Sequence, residues 1–172
     1  MYFRCLIHKK RYRLFKILNY LNILNIGKYI LDIIVQNDSN LFQWTLKNNR
    51  FSNIELRRFM IFASESGSYE IVKYLFILNK TKSFIKYYVI NDCISFTIKN
   101  DDVVIFKIIH YNFIINYRFS NILDIIQRCI KLDSLKLVKF SLSSKNLQTS
   151  ACFIFLSILK SELIIHILTF EI

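Results

Sequence analysis

A weak sequence repeat occurs three times along this chain and limits the folds that the chain can adopt. Related segments begin at Ala63, Thr97 and Cys129. Their spacing of about 33 residues is typical of proteins that stack helical repeats. The sequence therefore predicts a helical-repeat fold.

Each repeat has the same order of features. A short apolar helix is followed by a turn that carries Gly67, Asp101 or Asp133, and a second helix comes next. Apolar residues at i, i+1 and i+4 place one buried face on that second helix. These residues are Ile71, Val72 and Leu75; Ile105, Phe106 and Ile109; and Leu137 and Val138. The polar stretches Asn79–Ser83, Asn116–Asn121 and Ser141–Ser150 are predicted to be loops.

The two ends of the chain are less regular. We expect residues 51–172 to form about three to four degenerate repeats, with a shorter fourth copy of the pattern, or echo, at Ser161–Leu168. Residues 1–50 are interpreted as a helical amino-terminal cap or a diverged repeat. In the second interpretation, Gly27–Ile34 is the second helix of that repeat, and the step from Ile30 to Ile71 is longer than the other steps. All of these units are predicted to pack as one continuous domain.

The repeat resembles the ankyrin repeat. Residues of the segment around Gly67 fall on the family's Ala, Gly, Ile, Val and Leu positions. They are Ala63, Gly67, Ile71, Val72 and Leu75. The family's T-P-L-H segment is absent, because Arg58-Phe59-Met60-Ile61 stands in its place, and its β-turn between units has no counterpart.

The resemblance implies an all-α solenoid of stacked antiparallel helix pairs, ankyrin-like with degenerate repeats. A different α-solenoid or an irregular helical bundle stays open as an alternative. The resemblance further implies a non-enzymatic protein–protein interaction module, since such scaffolds use their extended surfaces for binding. The partner is expected to be a protein, and an acidic one fits the basic character of the chain.

Composition supports two alternative functions. The chain has 24 Lys and Arg against 12 Asp and Glu, a formal charge of +12. A basic helical nucleic-acid-binding protein is the first alternative, and a membrane-associated helical protein is the second. The abundance of Ile, Asn, Lys and Phe with no Pro is also what AT-rich codons produce, and it resembles the divergent ankyrin arrays of giant DNA viruses and amoebae. An integral membrane span is not expected, because Lys, Glu and His interrupt the apolar runs.

No constellation of residues predicts catalysis, a cofactor or a metal ion. Cys5 and His8 form a C-x-x-H pair without a second ligand pair at zinc-like spacing. His110 and His166 are expected to be solvated, and Cys129 takes the small-residue position of Ala63. One carboxylate of Asp101–Asp102 is expected to cap a helix. The scattered cysteines predict free thiols and an intracellular location, cytoplasmic or nuclear.

Candidate partner-binding residues are basic or aromatic. Lys73, Lys107 and Lys139 recur at one place in successive repeats and are expected to align as a column. Loop residues between the repeats give a second set, which comprises Lys80, Lys82, Tyr117 and Arg118. The amino end adds a basic cluster that a polyanion could bind: Arg4, His8, Lys9, Lys10, Arg11, Arg13 and Lys16.

Overall fold

The computed structural model describes residues 12–21, 26–112 and 119–143, and all regular secondary structure in these residues is helical. The predicted all-α class is therefore confirmed for this part of the chain. A short 3-10 helix at Ile26–Tyr29 precedes the second α-helix. The α-helices are α1 (Tyr12–Tyr20), α2 (Ile30–Val35), α3 (Ser39–Asn48), α4 (Asn53–Glu65), α5 (Tyr69–Lys82), α6 (Tyr87–Lys99), α7 (Val103–Asn112), α8 (Phe119–Lys131) and α9 (Leu135–Ser143).

Four tight turns divide α2 to α9 into pairs. In each turn one residue has a left-handed backbone, with φ values of 52° at Asn37, 74° at Gly67, 49° at Asp101 and 54° at Asp133. Gly adopts this conformation at no steric cost, and Asn and Asp tolerate it better than most residues. The turns at 67, 101 and 133 coincide with those predicted from the sequence, and Asn37 adds a fourth.

Contacts between the helices follow the order of the pairs. We call α2, α4, α6 and α8 the leading helices, and α3, α5, α7 and α9 the following helices. Each leading helix contacts its own following helix and the leading helix of the next pair. The following helices contact one another in the same order, α3 with α5, α5 with α7 and α7 with α9.

Equivalent apolar positions of the pairs share one core. Ile71, Ile105 and Leu137 lie four residues after their left-handed turn residue, and none of them is exposed to solvent. Leu41 takes the same position after Asn37 and is also buried. These residues belong to a single hydrophobic cluster that runs through the described pairs. Burial of an aliphatic side chain contributes about 1.5–3 kcal/mol, so each pair depends on its neighbours for much of its stability.

Side-chain hydrogen bonds join one pair to the next. The hydroxyl of Ser68 donates to the Ile34 carbonyl, and the hydroxyl of Ser134 donates to the Ile98 carbonyl. The Glu70 amide donates to Asn37 Oδ1 at 3.1 Å. The residues joined in this way are 33 to 36 positions apart in the sequence, which is the length of the repeat.

The amino-terminal pair differs from the expected alignment. One of the two sequence interpretations made Gly27–Ile34 the second helix of a diverged repeat, but α2 contacts α4 and precedes the left-handed turn at Asn37. It therefore occupies a leading position, and α3 is the following helix of its pair. The alignment was wrong because the turn residue is Asn37 rather than Gly27, and Asn tolerates a left-handed φ better than most residues do.

Helices also extend into the polar stretches that were predicted to be loops. Residues Asn79–Lys82 form the last turn of α5, which ends at Ser83 with a left-handed φ of 48°. The Asn79 side chain then accepts a hydrogen bond from the Ile85 amide at 2.6 Å. Polar residues suit a last turn because its free carbonyls face solvent, so polarity alone does not end a helix.

Candidate interaction surfaces

A cleft of about 500 Å³ lies beside the leading helices α2 and α4. Apolar lining comes from Ile30 and Leu31 of α2 and from Phe59 and Phe62 of α4, together with Phe51 in the preceding loop. The rings of Phe51 and Phe59 pack edge to face, with centroids 5.2 Å apart. The cleft thus presents several apolar side chains from two neighbouring pairs.

The start of α4 positions one wall of this cleft. Ser52 and Glu55 form a capping box, in which the Ser52 amide donates to the Glu55 carboxylate at 2.8 Å. That hydrogen bond lowers the pKa of Glu55 because it stabilises the charged carboxylate. Arg58, one turn further on, adds a cation to the lining of the cleft. The wall is therefore held by local helix capping, and it contributes both charged and apolar side chains to the lining.

A second groove, about 450 Å³ in volume, lies along the turns at Gly67 and Asp101 and reaches Lys136 of α9, and two of its carboxylates cap helices. Asp102 accepts hydrogen bonds from the amides of Val104 and Ile105, each at 3.0 Å. Asp101 accepts from the Leu137 amide at 3.2 Å, across to the next pair. The predicted capping role of this dipeptide thus extends to both carboxylates.

Three predicted partner-binding lysines lie at equivalent, exposed places. Lys73, Lys107 and Lys139 each follow the left-handed turn residue of their pair by six positions. The ammonium of Lys107 lies 5.1 Å from the centre of the Phe140 ring, which belongs to the next following helix. A cation above an aromatic face is attracted by the ring quadrupole, so Lys107 also helps to join two pairs.

The other predicted residues have different outcomes. Lys80 and Lys82 were expected in a loop, but both lie in the last turn of α5. A carboxy-terminal turn favours cations because the helix dipole is negative there. Both side chains remain exposed. Tyr117 and Arg118 lie outside the described residues.

The amino-terminal cluster is described only in part. Of its members, Arg13 and Lys16 lie in α1, and Arg13 is exposed. The Lys16 ammonium lies 5.3 Å from the centre of the Trp44 ring on α3. Arg4, His8, Lys9, Lys10 and Arg11 lie outside the described residues, as do Cys5, His166 and the echo at Ser161–Leu168.

Charge is distributed unequally between the two sets of helices, a feature that the sequence interpretation missed. The following helices contain seven lysines and one acidic residue, Glu70, for a net charge of +6. The leading helices contain five cations and five acidic residues, for a net charge of zero. The lysines are Lys47, Lys73, Lys80, Lys82, Lys107, Lys136 and Lys139, and all are exposed. A count of charges by helix position within the repeat would have revealed this difference.

His110 does not lie where the sequence interpretation put it. It was expected to be solvated, but it is buried on α7 beside the rings of Phe106, Tyr111 and Phe140. Its Nδ1 atom is buried with no hydrogen-bond partner among the described residues. Burial lowers the pKa of His110 because the charged imidazolium loses its hydration. The prediction failed because the position after Ile109 faces Phe140 of the next pair, in addition to two rings of its own helix.

Two cysteines in the described part are free and buried. Burial raises the pKa of Cys93 to about 12 and that of Cys129 to about 11. Thiolates are the reactive form of cysteine, so both thiols are poor nucleophiles at neutral pH. Cys129 occupies the buried position equivalent to Ala63, as predicted from the sequence.

Residues 12–21, 26–112 and 119–143 contain no group of three or more His, Cys, Asp or Glu side chains placed to hold a metal ion. Among the helices in those same ranges, none combines the length and apolarity needed to cross a bilayer.

Comparison with known proteins gives no relative. No protein-family model, curated protein or solved structure matches the chain.

Proposed function

We propose that this chain is an ankyrin-like solenoid of stacked antiparallel helix pairs that acts as a non-enzymatic protein-interaction module. The observation that carries the proposal is the set of hydrogen bonds that join residues 33 to 36 positions apart. Hydrogen bonds between residues one repeat length apart in the sequence are expected where each pair packs against the previous pair in the same way. Helix contacts in pair order support the same arrangement. Stacked repeats of this kind commonly use their surfaces to bind other proteins.

The cleft beside α2 and α4 is the proposed contact surface. Its aromatic side chains and its lining residue Arg58 belong to the residue types that are enriched at protein interfaces. The leading helices carry no net charge, so their exposed face is suited to an apolar partner segment with mixed charges. An apolar side chain or short helix of the partner would enter the cleft. We infer an intracellular, cytoplasmic or nuclear setting, which the free buried thiols support.

A pair of matched variants tests the role of the cleft. Leu31→Glu places a charge in the lining, whereas Val35→Glu changes a residue of the same helix that is not in the lining. Leu31 is 47% exposed and Val35 is 52% exposed, so both variants should fold. Proteins cross-linked to each variant in cells of the native source are identified after nuclease treatment. We expect a set of partners that survives the nuclease, is lost with Leu31→Glu and is kept with Val35→Glu.

Two results would contradict the proposal. Equal partner sets for both variants would show that the cleft is not the contact surface. Loss of every partner on nuclease treatment, with binding that weakens steeply as salt is raised, would instead favour a nucleic-acid-binding protein.

A further inference from the structure

The following helices present lysines and apolar side chains together on one exposed face. On α5 the residues at i, i+4 and i+7 are Lys73, Ile77 and Lys80, which a helix places on the same side. On α7, Lys107 and Tyr111 are spaced by i and i+4, and Ile77 and Tyr111 are 56% and 65% exposed. We call this surface the lysine face and define it by Lys73, Ile77, Lys80, Lys107, Tyr111 and Lys139.

We propose that the lysine face binds the surface of a lipid bilayer that contains anionic headgroups. The ammonium groups lie among the headgroups, and Ile77 and Tyr111 enter the boundary with the acyl chains. Exposed aliphatic and tyrosine side chains between lysines are the combination that binds such a boundary. This proposal concerns the opposite set of helices from the cleft, so it stands or fails independently of the proposed protein partner.

The type of cation favours a lipid surface over an acidic protein or a nucleic acid. Among the helices of the four pairs, every cation of the following helices is lysine, and the three arginines lie on leading helices: Arg57, Arg58 and Arg128. Arginine pairs with a carboxylate or phosphate through two parallel hydrogen bonds, whereas lysine stays a hydrated point charge. Lysine is also depleted in the centres of protein interfaces. Hydrated charges suit a diffuse anionic surface that offers no fixed pairing geometry.

Several of these lysines are available for an external partner. Among the described residues, no carboxylate lies within 4.0 Å of the ammonium of Lys73, Lys80 or Lys139. Lys107 contacts the Phe140 ring, and Lys136 lies 4.0 Å from the Asp101 carboxylate. Variants that leave these two residues unchanged therefore test the face without weakening contacts between pairs.

Flotation of the full chain with lipid vesicles tests the proposal. The vesicles are phosphatidylcholine alone or phosphatidylcholine with phosphatidylserine, and soluble poly-glutamate and RNA serve as competing anions. One variant removes Lys73, Lys80 and Lys139 by substitution with Gln. The matched control removes three exposed cations of the leading helices by Arg58→Gln, Lys99→Gln and Lys131→Gln, so both variants lose the same charge. A third variant, Ile77→Gln with Tyr111→Gln, removes the apolar side chains.

We expect binding to the serine-containing vesicles alone, and it should fall about a hundredfold for the lysine variant, which is about fivefold for each lysine. The control variant should lose less than about threefold, because its charges lie on the other set of helices. The apolar variant should bind at low salt and lose binding at physiological salt. Equal loss for the lysine variant and its control would overturn the proposal. Tight binding to poly-glutamate or RNA without vesicle binding would overturn it in favour of that polyanion.

Discussion

Asn37 and Asp101 combine two roles at a left-handed turn. Each tolerates a positive φ, and each side chain accepts a hydrogen bond from the first turn of the next following helix. Gly67 has no side chain for this purpose, and at the next pair Asp102 caps its own helix instead. Among these three turns, where the turn residue has a side-chain acceptor, it caps the following helix of the next pair. Where the turn residue is glycine, the following helix of the next pair is capped by its own aspartate.

Removal of the buried Ser68 hydroxyl should weaken the packing between the first two helix pairs. Ser68→Ala deletes the hydrogen bond to the Ile34 carbonyl and the 3.0 Å contact with the Ser66 hydroxyl, and we expect the free energy of unfolding to fall by about 1 kcal/mol. The matched control is Thr81→Ala, whose exposed hydroxyl bonds only to Leu78 of its own helix. Chemical denaturation of both variants measures the difference. A loss for Ser68→Ala no larger than for the control would show that the bond contributes nothing to stability.

His110 should make the fold sensitive to acid. Its pKa in the folded protein lies below the ordinary value of 6.5, so the unfolded chain binds more protons as pH falls through that value. The stability from the neutral imidazole is present above about pH 6.5 and is lost progressively below it. His110→Phe should remove this part of the pH dependence, because a phenyl ring fits beside Phe106 and Phe140. Unfolding free energies of both proteins between pH 5 and 8 check this, and parallel curves would contradict it.

At the scale of a helix, neighbouring residues of α7 should differ sharply in their effect on stability. Ile105 is fully buried, whereas Val104 is 53% exposed on the same turn. Ile105→Ala should lower the free energy of unfolding by about 2–5 kcal/mol, because it removes buried methyl groups and leaves a cavity. Val104→Ala should change it by less than about 0.5 kcal/mol. Denaturant titration of the two variants decides whether α7 has the predicted buried face.

The helices were predictable where apolar spacing and turn residues agreed. The stripes at Ile71, Ile105 and Leu137 and the turns at Gly67, Asp101 and Asp133 are where the sequence placed them. Their helical spacing and the turn chemistry are both local properties that a single sequence carries.

Other features depended on contacts that no local pattern contains. His110 lies against Phe140 of another pair, and the leading position of α2 follows from its contact with α4. The sequence shows that three lysines recur at one place in the repeat. The zero net charge of the leading helices could be counted only once the helix boundaries were known. The cleft joins residues of α2 and α4 that are distant in the chain, and nothing in the repeat pattern indicated it.

For the molecule as a whole, damage at one junction should stay near that junction if the pairs form a linear stack. Stability in such arrays is close to a sum of units and nearest-neighbour interfaces. Ser68→Ala should therefore speed amide hydrogen exchange in α2 and α3 more than in α8 and α9. Ser134→Ala, which deletes the equivalent bond to Ile98, should give the reverse pattern. Exchange measured by mass spectrometry checks both variants, and uniform acceleration along the chain would indicate a single cooperative globule instead.

The alternation of capping modes has a consequence for engineering longer versions of this chain. The side chains of Asn37 and Asp101 accept hydrogen bonds from the Glu70 and Leu137 amides of the next pair. Asp38 and Asp102 each cap the helix that they begin. A single extra pair would break this alternation, because one following helix would then begin with both kinds of side-chain acceptor or with neither. Extension by two pairs at a time, as one module that runs from Ser68 to Asp133, leaves each following helix with one side-chain acceptor at its start.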